Sequence, residues 1–195
     1  MSRLPLIVTA VVLLVVGGAI AVVAARPRAD AAPAAPERPF ALTDHRGLPF
    51  SERDLVGKVT LLYFGYTFCP DVCPTELGYL ARLMRALGPQ AEQVRPVMVT
   101  IDPERDTPQL LAGFVSAFDP RLVGLTGAPD AISALAKAYG VHAQRANIVT
   151  AQPGFYLMDH TSTTFVLDRQ GRQVLKIDSH TTPVEAAAAQ VRGIL

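Results

Sequence analysis

The only two cysteines of the chain lie in one short stretch, Tyr66 to Leu77, which reads YTFCPDVCPTEL. Cys69 and Cys73 stand four residues apart, and Pro70 and Pro74 follow them directly. A disulfide between them would close almost no loop, so it would remove little entropy from the unfolded chain. One helical turn separates residues i and i+4 by about 6 Å along the axis. That spacing lets two cysteines just meet in a disulfide, or turn both sulfurs toward one small ion. Cys69 precedes an expected helix and Cys73 lies in its first turn, where free N–H groups and the positive end of the helix dipole favour thiolates. Thiolates are the nucleophiles of disulfide exchange and also the ligands of soft metals. The two prolines restrict the loop and lower the entropy lost on binding.

Two sulfurs leave a metal site incomplete, so a third ligand must come from elsewhere. The chain has four histidines, His45, His142, His160 and His180. His160 is the strongest candidate, because it sits in FYLMDHTSTTFVLD just before an expected strand that would run beside the cysteine turn. Asp159 is placed to orient its imidazole. His180 also follows a strand, but a terminal hairpin carries it to a less defined place, and His45 and His142 have no comparable argument. Two thiolates and one imidazole suit copper as Cu(I), which accepts soft ligands at low coordination number. Zinc would want a fourth ligand, and none is evident.

The elements that must position these residues read clearly. Lys58 to Tyr66 (KVTLLYFGY) is β-branched and aromatic and predicts a buried strand. Thr75 to Leu87 predicts a helix with an apolar stripe of Leu77, Leu80, Leu83, Met84 and Leu87, stopped by Gly88-Pro89. Val94 to Ile101 predicts a second strand, with Pro96 marking an irregular start or a sheet edge. A helix over Thr107 to Phe118 opens with Thr107 as cap and Pro108 behind it. A short strand at Leu122 to Leu125 follows, then a helix over Pro129 to Tyr139 closed by Gly140. Thr163 to Asp168 and Gln173 to Asp178 form a hairpin across Arg169 to Arg172, and Val184 to Ile194 is a last helix. Alternating strands and helices with a terminal hairpin and helix give a three-layer α/β domain of thioredoxin-like type.

The rest of the chain suggests where this domain sits. Leu4 to Ala25 carries no charge, and its twenty-two residues would give about 33 Å of helix, enough to cross a hydrocarbon core. Residues 1–25 are therefore expected to be a transmembrane anchor. Read as a signal sequence instead, they offer small-residue cleavage sites at Val23-Ala24-Ala25 and Ala29-Asp30-Ala31. No cysteine lies nearby to carry a lipoprotein anchor. Arg3 on one side against Arg26 and Arg28 on the other leaves orientation open. Residues 26–39, with four prolines, read as a semi-rigid linker, and residues 40–195 suit a single domain. The net charge is +1 with no basic block, which argues against a nucleic-acid partner. An exported domain would sit where thiols tend to be oxidised.

Three blocks, YFGYTFCPDVCPTEL, VTIDPERDTP and YLMDHTSTTFVLDRQGR, together resemble the signature of the Sco (SenC/PrrC-type) family, in order and spacing, across residues 40–195. Those proteins are membrane-anchored, thioredoxin-like copper proteins. The resemblance implies that Cys69, Cys73 and His160 bind copper as Cu(I) or Cu(II). It implies that the domain delivers copper, or reducing equivalents, to the binuclear CuA centre of cytochrome c oxidase subunit II. It also implies an orientation outside the cytoplasmic membrane of a bacterium, on the periplasmic side. No Arg- and Ser-rich presequence points to a mitochondrial member. Another periplasmic copper chaperone or a thiol reductant is an expected further partner. Asp102 to Thr107 is a hallmark of the family without a chemical role that its residues disclose.

A copper chaperone and a thiol-disulfide oxidoreductase using Cys69 and Cys73 both fit. Against the second, thioredoxins use C-x-x-C and place a proline before the facing strand, where this chain has DHTSTTF. A peroxiredoxin would need P-x-x-x-T-x-x-C, but Tyr66 and Pro70 occupy the threonine positions. A cupredoxin would need His and Met soon after the second cysteine. PTELGYLARLM holds no histidine, and its Met84 falls on the apolar stripe.

Overall fold

The fold is that of a computed structural model, which describes residues 39–146 and 155–195. The expected anchor and most of the linker lie outside the described residues. Among the described residues no helix is long and apolar enough to cross a membrane. The described residues fall in one compact unit.

Nine strands and four α-helices follow in the order β1 (Ala41–Asp44), β2 (Pro49–Ser51), β3 (Val59–Gly65), α1 (Val72–Leu87), β4 (Val94–Thr100), α2 (Pro108–Ser116), β5 (Val123–Thr126), α3 (Pro129–Ala138), β6 (Ala143–Arg145), β7 (Met158–His160), β8 (Thr164–Leu167), β9 (Gln173–Ile177) and α4 (Val184–Arg192) among the described residues. The main sheet has the strand order β2-β1-β5-β4-β3-β8-β9. Strands β3, β4 and β5 run parallel, and β8 returns antiparallel beside β3. The hairpin β1–β2 and the separate ribbon β6–β7 are additions that the sequence reading did not contain. Both are made of three- and four-residue strands, too short for a period-two pattern to stand out.

Every residue of β3 is buried, as a strand covered on both faces requires. Its residues divide between two layers. A Cβ on Gly65 would meet the sulfur of Cys73 in α1, so the odd-numbered positions face that helix. Phe64 points the other way, with its ring centroid 5.6 Å from Tyr139 beyond α3 and 6.0 Å from Phe165 on β8. Helices α1 and α4 pack together on the first side, giving the three layers expected. The stripe Leu77, Leu80, Leu83, Met84 and Leu87 is buried throughout. Thr107 caps α2 by accepting the Leu110 N–H, with Pro108 behind it.

Pro96 is a correction. It sits inside β4, the central strand of the sheet, paired with Leu61, and does not mark an edge. Ile101 N–H donates to Gly65 O on the β3 side. By the alternation of a strand, Pro96 turns its nitrogen the other way, toward β5, where pairing begins only at Val97. The missing donor therefore costs the ladder nothing.

Because Phe64 fills the junction between β3, β8 and the end of α3, Phe64→Ala should cost about 3–5 kcal/mol of stability. Chemical denaturation followed by circular dichroism would read this as a lowered midpoint.

Candidate metal centre

Helix α1 begins at Val72, earlier than the apolar stripe alone suggested. Asp71 holds the cap position but makes no side-chain cap hydrogen bond. Instead the Cys69 Sγ accepts the Cys73 N–H at 3.3 Å. A ligand sulfur thus satisfies one of the free donors of the first turn. Cys73 itself is fully buried, wedged where Gly65 leaves room, and Tyr63 Oη donates to its sulfur at 3.5 Å. Both thiols are free.

His160 arrives on β7, part of the ribbon in which Ala143 pairs with His160 and Gln144 with Asp159. The imidazole stands edge-on to the rings of Tyr63 and Tyr66, at 6.2 and 5.9 Å. Tyr66 Oη accepts the Met158 N–H at 3.1 Å and so ties the ribbon to the cysteine turn. The His160 Nδ1 lies 3.1 Å from the Thr161 carbonyl. A carbonyl only accepts, so Nδ1 carries the proton and Nε2 offers its lone pair. Nε2 is 3.5 Å from Cys73 Sγ. Asp159 does not orient the ring, contrary to expectation: strand alternation turns it to the opposite face, where it is exposed.

The donor atoms of Cys69, Cys73 and His160 all lie within 4.8 Å of one another, the one such cluster among the described residues. Two bonds of about 2.0–2.3 Å through one ion span nearly that distance. Two soft sulfurs and a neutral imidazole nitrogen are the donor set that copper favours. The other histidines lie elsewhere. His45 Nδ1 accepts the Gly124 N–H at 3.1 Å, and His180 is exposed in the Asp178 turn. His142 is exposed beside Thr161, where it helps line a cleft of about 290 Å³ behind the ribbon.

The two thiols share a proton unequally. A hydrogen bond from the Cys73 thiol, opposed by burial and aided by the N–H groups of Asp71 and Cys73, brings Cys69 down to about 3. The same bond, then burial, pushes Cys73 up. Burial raises Tyr63, which stays a hydroxyl donor.

The block Asp102 to Thr107, silent in the sequence, has a role in the structure. Asp106 is wholly buried and accepts from Thr67 N at 3.0 Å, Thr67 Oγ1 at 2.5 Å and Thr100 Oγ1 at 2.6 Å. It thereby ties the residue two before Cys69 to the end of β4. Burial raises its pKa against those three bonds. Asp102 and Arg105 form an ion pair, and Tyr156 Oη donates to Asp102 at 2.7 Å. Tyr63, Tyr66 and Thr161 also support the site. The aromatic pair in YFGY, directly before the cysteines, was the one signal that could have announced any of them.

A thioredoxin-like fold with two cysteines at the start of its first helix and a histidine from a side ribbon defines a class of metal-handling thiol proteins. The SCO1/SenC family pattern matches residues 28–195, and the chain belongs to that family. It is 35% identical over 146 residues to the SCO2-like protein of Rickettsia felis, covering 75% of this chain and 71% of that one. It is 38% identical over 135 residues to the mitochondrial protein SCO2 of Saccharomyces cerevisiae, covering 69% of this chain but only 44% of that longer protein. The structure of Bradyrhizobium japonicum ScoI, solved with copper bound, superposes with a TM-score of 0.74 at 41% identity over 80% of this chain and 98% of that one.

Two expectations follow. Ultraviolet thiolate absorbance of the reduced, metal-free chain should persist from about pH 8 down to about pH 5, where an ordinary cysteine near 8.5 is protonated. It should vanish in Cys69→Ser. A Cβ at position 65 would meet the Tyr63 ring at 2.6 Å and the Cys73 sulfur at 3.0 Å. Gly65→Ala should therefore displace that sulfur, lowering metal affinity in a chelator competition and thermal stability together.

Proposed function

We propose that this chain is a membrane-anchored copper chaperone whose domain delivers copper to the CuA site of cytochrome c oxidase subunit II. Copper is its cargo, held by Cys69, Cys73 and His160. The observation that carries the reading is the His160 Nε2 lone pair, turned by Thr161 toward the Cys73 sulfur. Three donors leave a coordination position open, through which a partner's ligand can enter and take the ion by exchange. The working location is the periplasmic side of a bacterial cytoplasmic membrane, with residues 1–25 as the single span. Another periplasmic copper chaperone would load the site.

One observation favours a second reading. An anionic Cys69 beside a protonated, deeper Cys73 is also the arrangement of a dithiol reductant. Cys69 would attack a disulfide of the target and release one target thiolate. Cys73 would then attack the Cys69 sulfur of that mixed disulfide and displace the target's second thiolate, its proton passing to a released thiolate, leaving a Cys69–Cys73 disulfide and two reduced target cysteines. A periplasmic thiol reductant would restore the pair.

The test is an anaerobic Cu(I) titration of the reduced chain against a competing chelator. Stoichiometric binding is expected, abolished by Cys69→Ala or Cys73→Ala. His160→Ala should keep the fold and weaken binding about tenfold or more, ~1.4 kcal/mol or more. Full affinity in that variant would show the third ligand to be misassigned. No competition for copper by the unaltered chain would leave the dithiol reading.

A further inference from the structure

The two sulfurs and the imidazole reach the site on separate pieces of chain. The sulfurs belong to the turn after β3 and the first turn of α1, and the imidazole to a three-residue strand outside the seven-stranded sheet. So short a ribbon does not hold its position alone. Besides the Tyr66–Met158 bond and the His160 ring contacts, several contacts that join it to the cysteine turn converge on one side chain. Arg105 Nη1 donates to the Tyr156 carbonyl at 3.0 Å, two residues before β7. Its guanidinium carbon lies 3.6 Å from the centroid of the Tyr156 ring. The same carbon lies 4.7 Å from the Phe68 ring and 5.8 Å from the Tyr66 ring, on either side of Thr67 in the cysteine turn. Asp102 fixes the guanidinium by ion pair and also takes the Tyr156 hydroxyl. Arg105 is 19% exposed, although a lone surface arginine has no reason to leave water.

We propose that Arg105 is a positioning residue for metal binding, a plate clamped between the two halves of the site that sets the distance from His160 to the sulfurs. This rests on the copper reading above. A planar guanidinium can stack on aromatic faces while donating in its own plane, and a lysine ammonium cannot do both. The clamp therefore depends on shape as well as on charge. Phe68, half-exposed beside Cys69, is held by it as well. Loss of the clamp frees the β6–β7 ribbon from the turn on one side, leaving the Tyr66–Met158 bond and the contacts of the His160 ring itself with Tyr63, Tyr66 and Cys73. The dithiol is untouched, because the sulfurs are held from beneath by α1, Gly65 and Asp106.

The experiment compares the 195-residue chain with Arg105→Ala and Arg105→Lys, each loaded with Cu(II). Arg105→Lys keeps a charge against the buried Asp102 if the alanine variant fails to fold. In the unaltered chain, electron paramagnetic resonance should show imidazole nitrogen coupling, and visible absorption should show thiolate-to-copper charge transfer. Both variants should lose or weaken the nitrogen coupling and bind copper about 10–100-fold less tightly. Both should keep the thiolate bands and cooperative unfolding. Wild-type nitrogen coupling and affinity in either folded variant would overturn the assignment. So would joint loss of the nitrogen and thiolate signatures, which would mark Arg105 as general scaffold. If the unaltered chain takes up no copper at all, the copper reading fails first and this assignment falls with it.

Discussion

The site depends on the close approach of α1 to the end of β3 at Gly65. The helix starts where a Cβ would collide with the Cys73 sulfur and the Tyr63 ring, so the sulfur occupies volume that any other residue at 65 would fill. That contact buries Cys73 completely and fixes which way the first turn of α1 faces. Cys69 then lies one turn back, with its sulfur on the Cys73 N–H. Cap, ligand and helix start are therefore one arrangement, and a change in any of them moves the others.

Electrostatics make the same geometry responsive to a cation. A buried pair of thiols cannot ionise twice without compensation, so one proton stays on Cys73 while Cys69 is anionic. A soft cation between the sulfurs would displace that proton and offset the negative charge of the two thiolates. The imidazole needs no such change, because Thr161 already keeps its proton on Nδ1. Low exposure at the sulfurs and partial exposure at His160 also give the site a buried side and an open side.

The three segments around the site are joined by the loop leaving β4. Asp106 holds it to the cysteine turn through Thr67, while Asp102 and Arg105 hold it to Tyr156. One loop of six residues thus bears on both ligand-carrying pieces. This explains why a block that supplies no donor to the cluster accompanies the cysteines and the histidine in the sequence.

The apolar stripe of α1, the uninterrupted hydrophobicity of β3 and the spacing of Cys69 and Cys73 are local patterns, and they were enough to specify the layers and the place of the dithiol. The pairing of His160 with that dithiol was also legible, from its position just before a strand beside the cysteine turn. Other features depended on contacts between residues far apart in the chain. Pro96 reads as an edge residue until the partners of β4 are known, because only they decide which neighbour meets its missing N–H. Asp159 sits next to His160 in sequence, yet the pleat of β7 turns it away and gives the orienting bond to a backbone carbonyl. Asp106 and Arg105 disclose no role until the tertiary fold closes a loop over them. Period and composition act along the chain, so the sequence alone determined what each segment could be. Burial and hydrogen-bond partnership act across it, so only the folded structure decided what held the ligands in place.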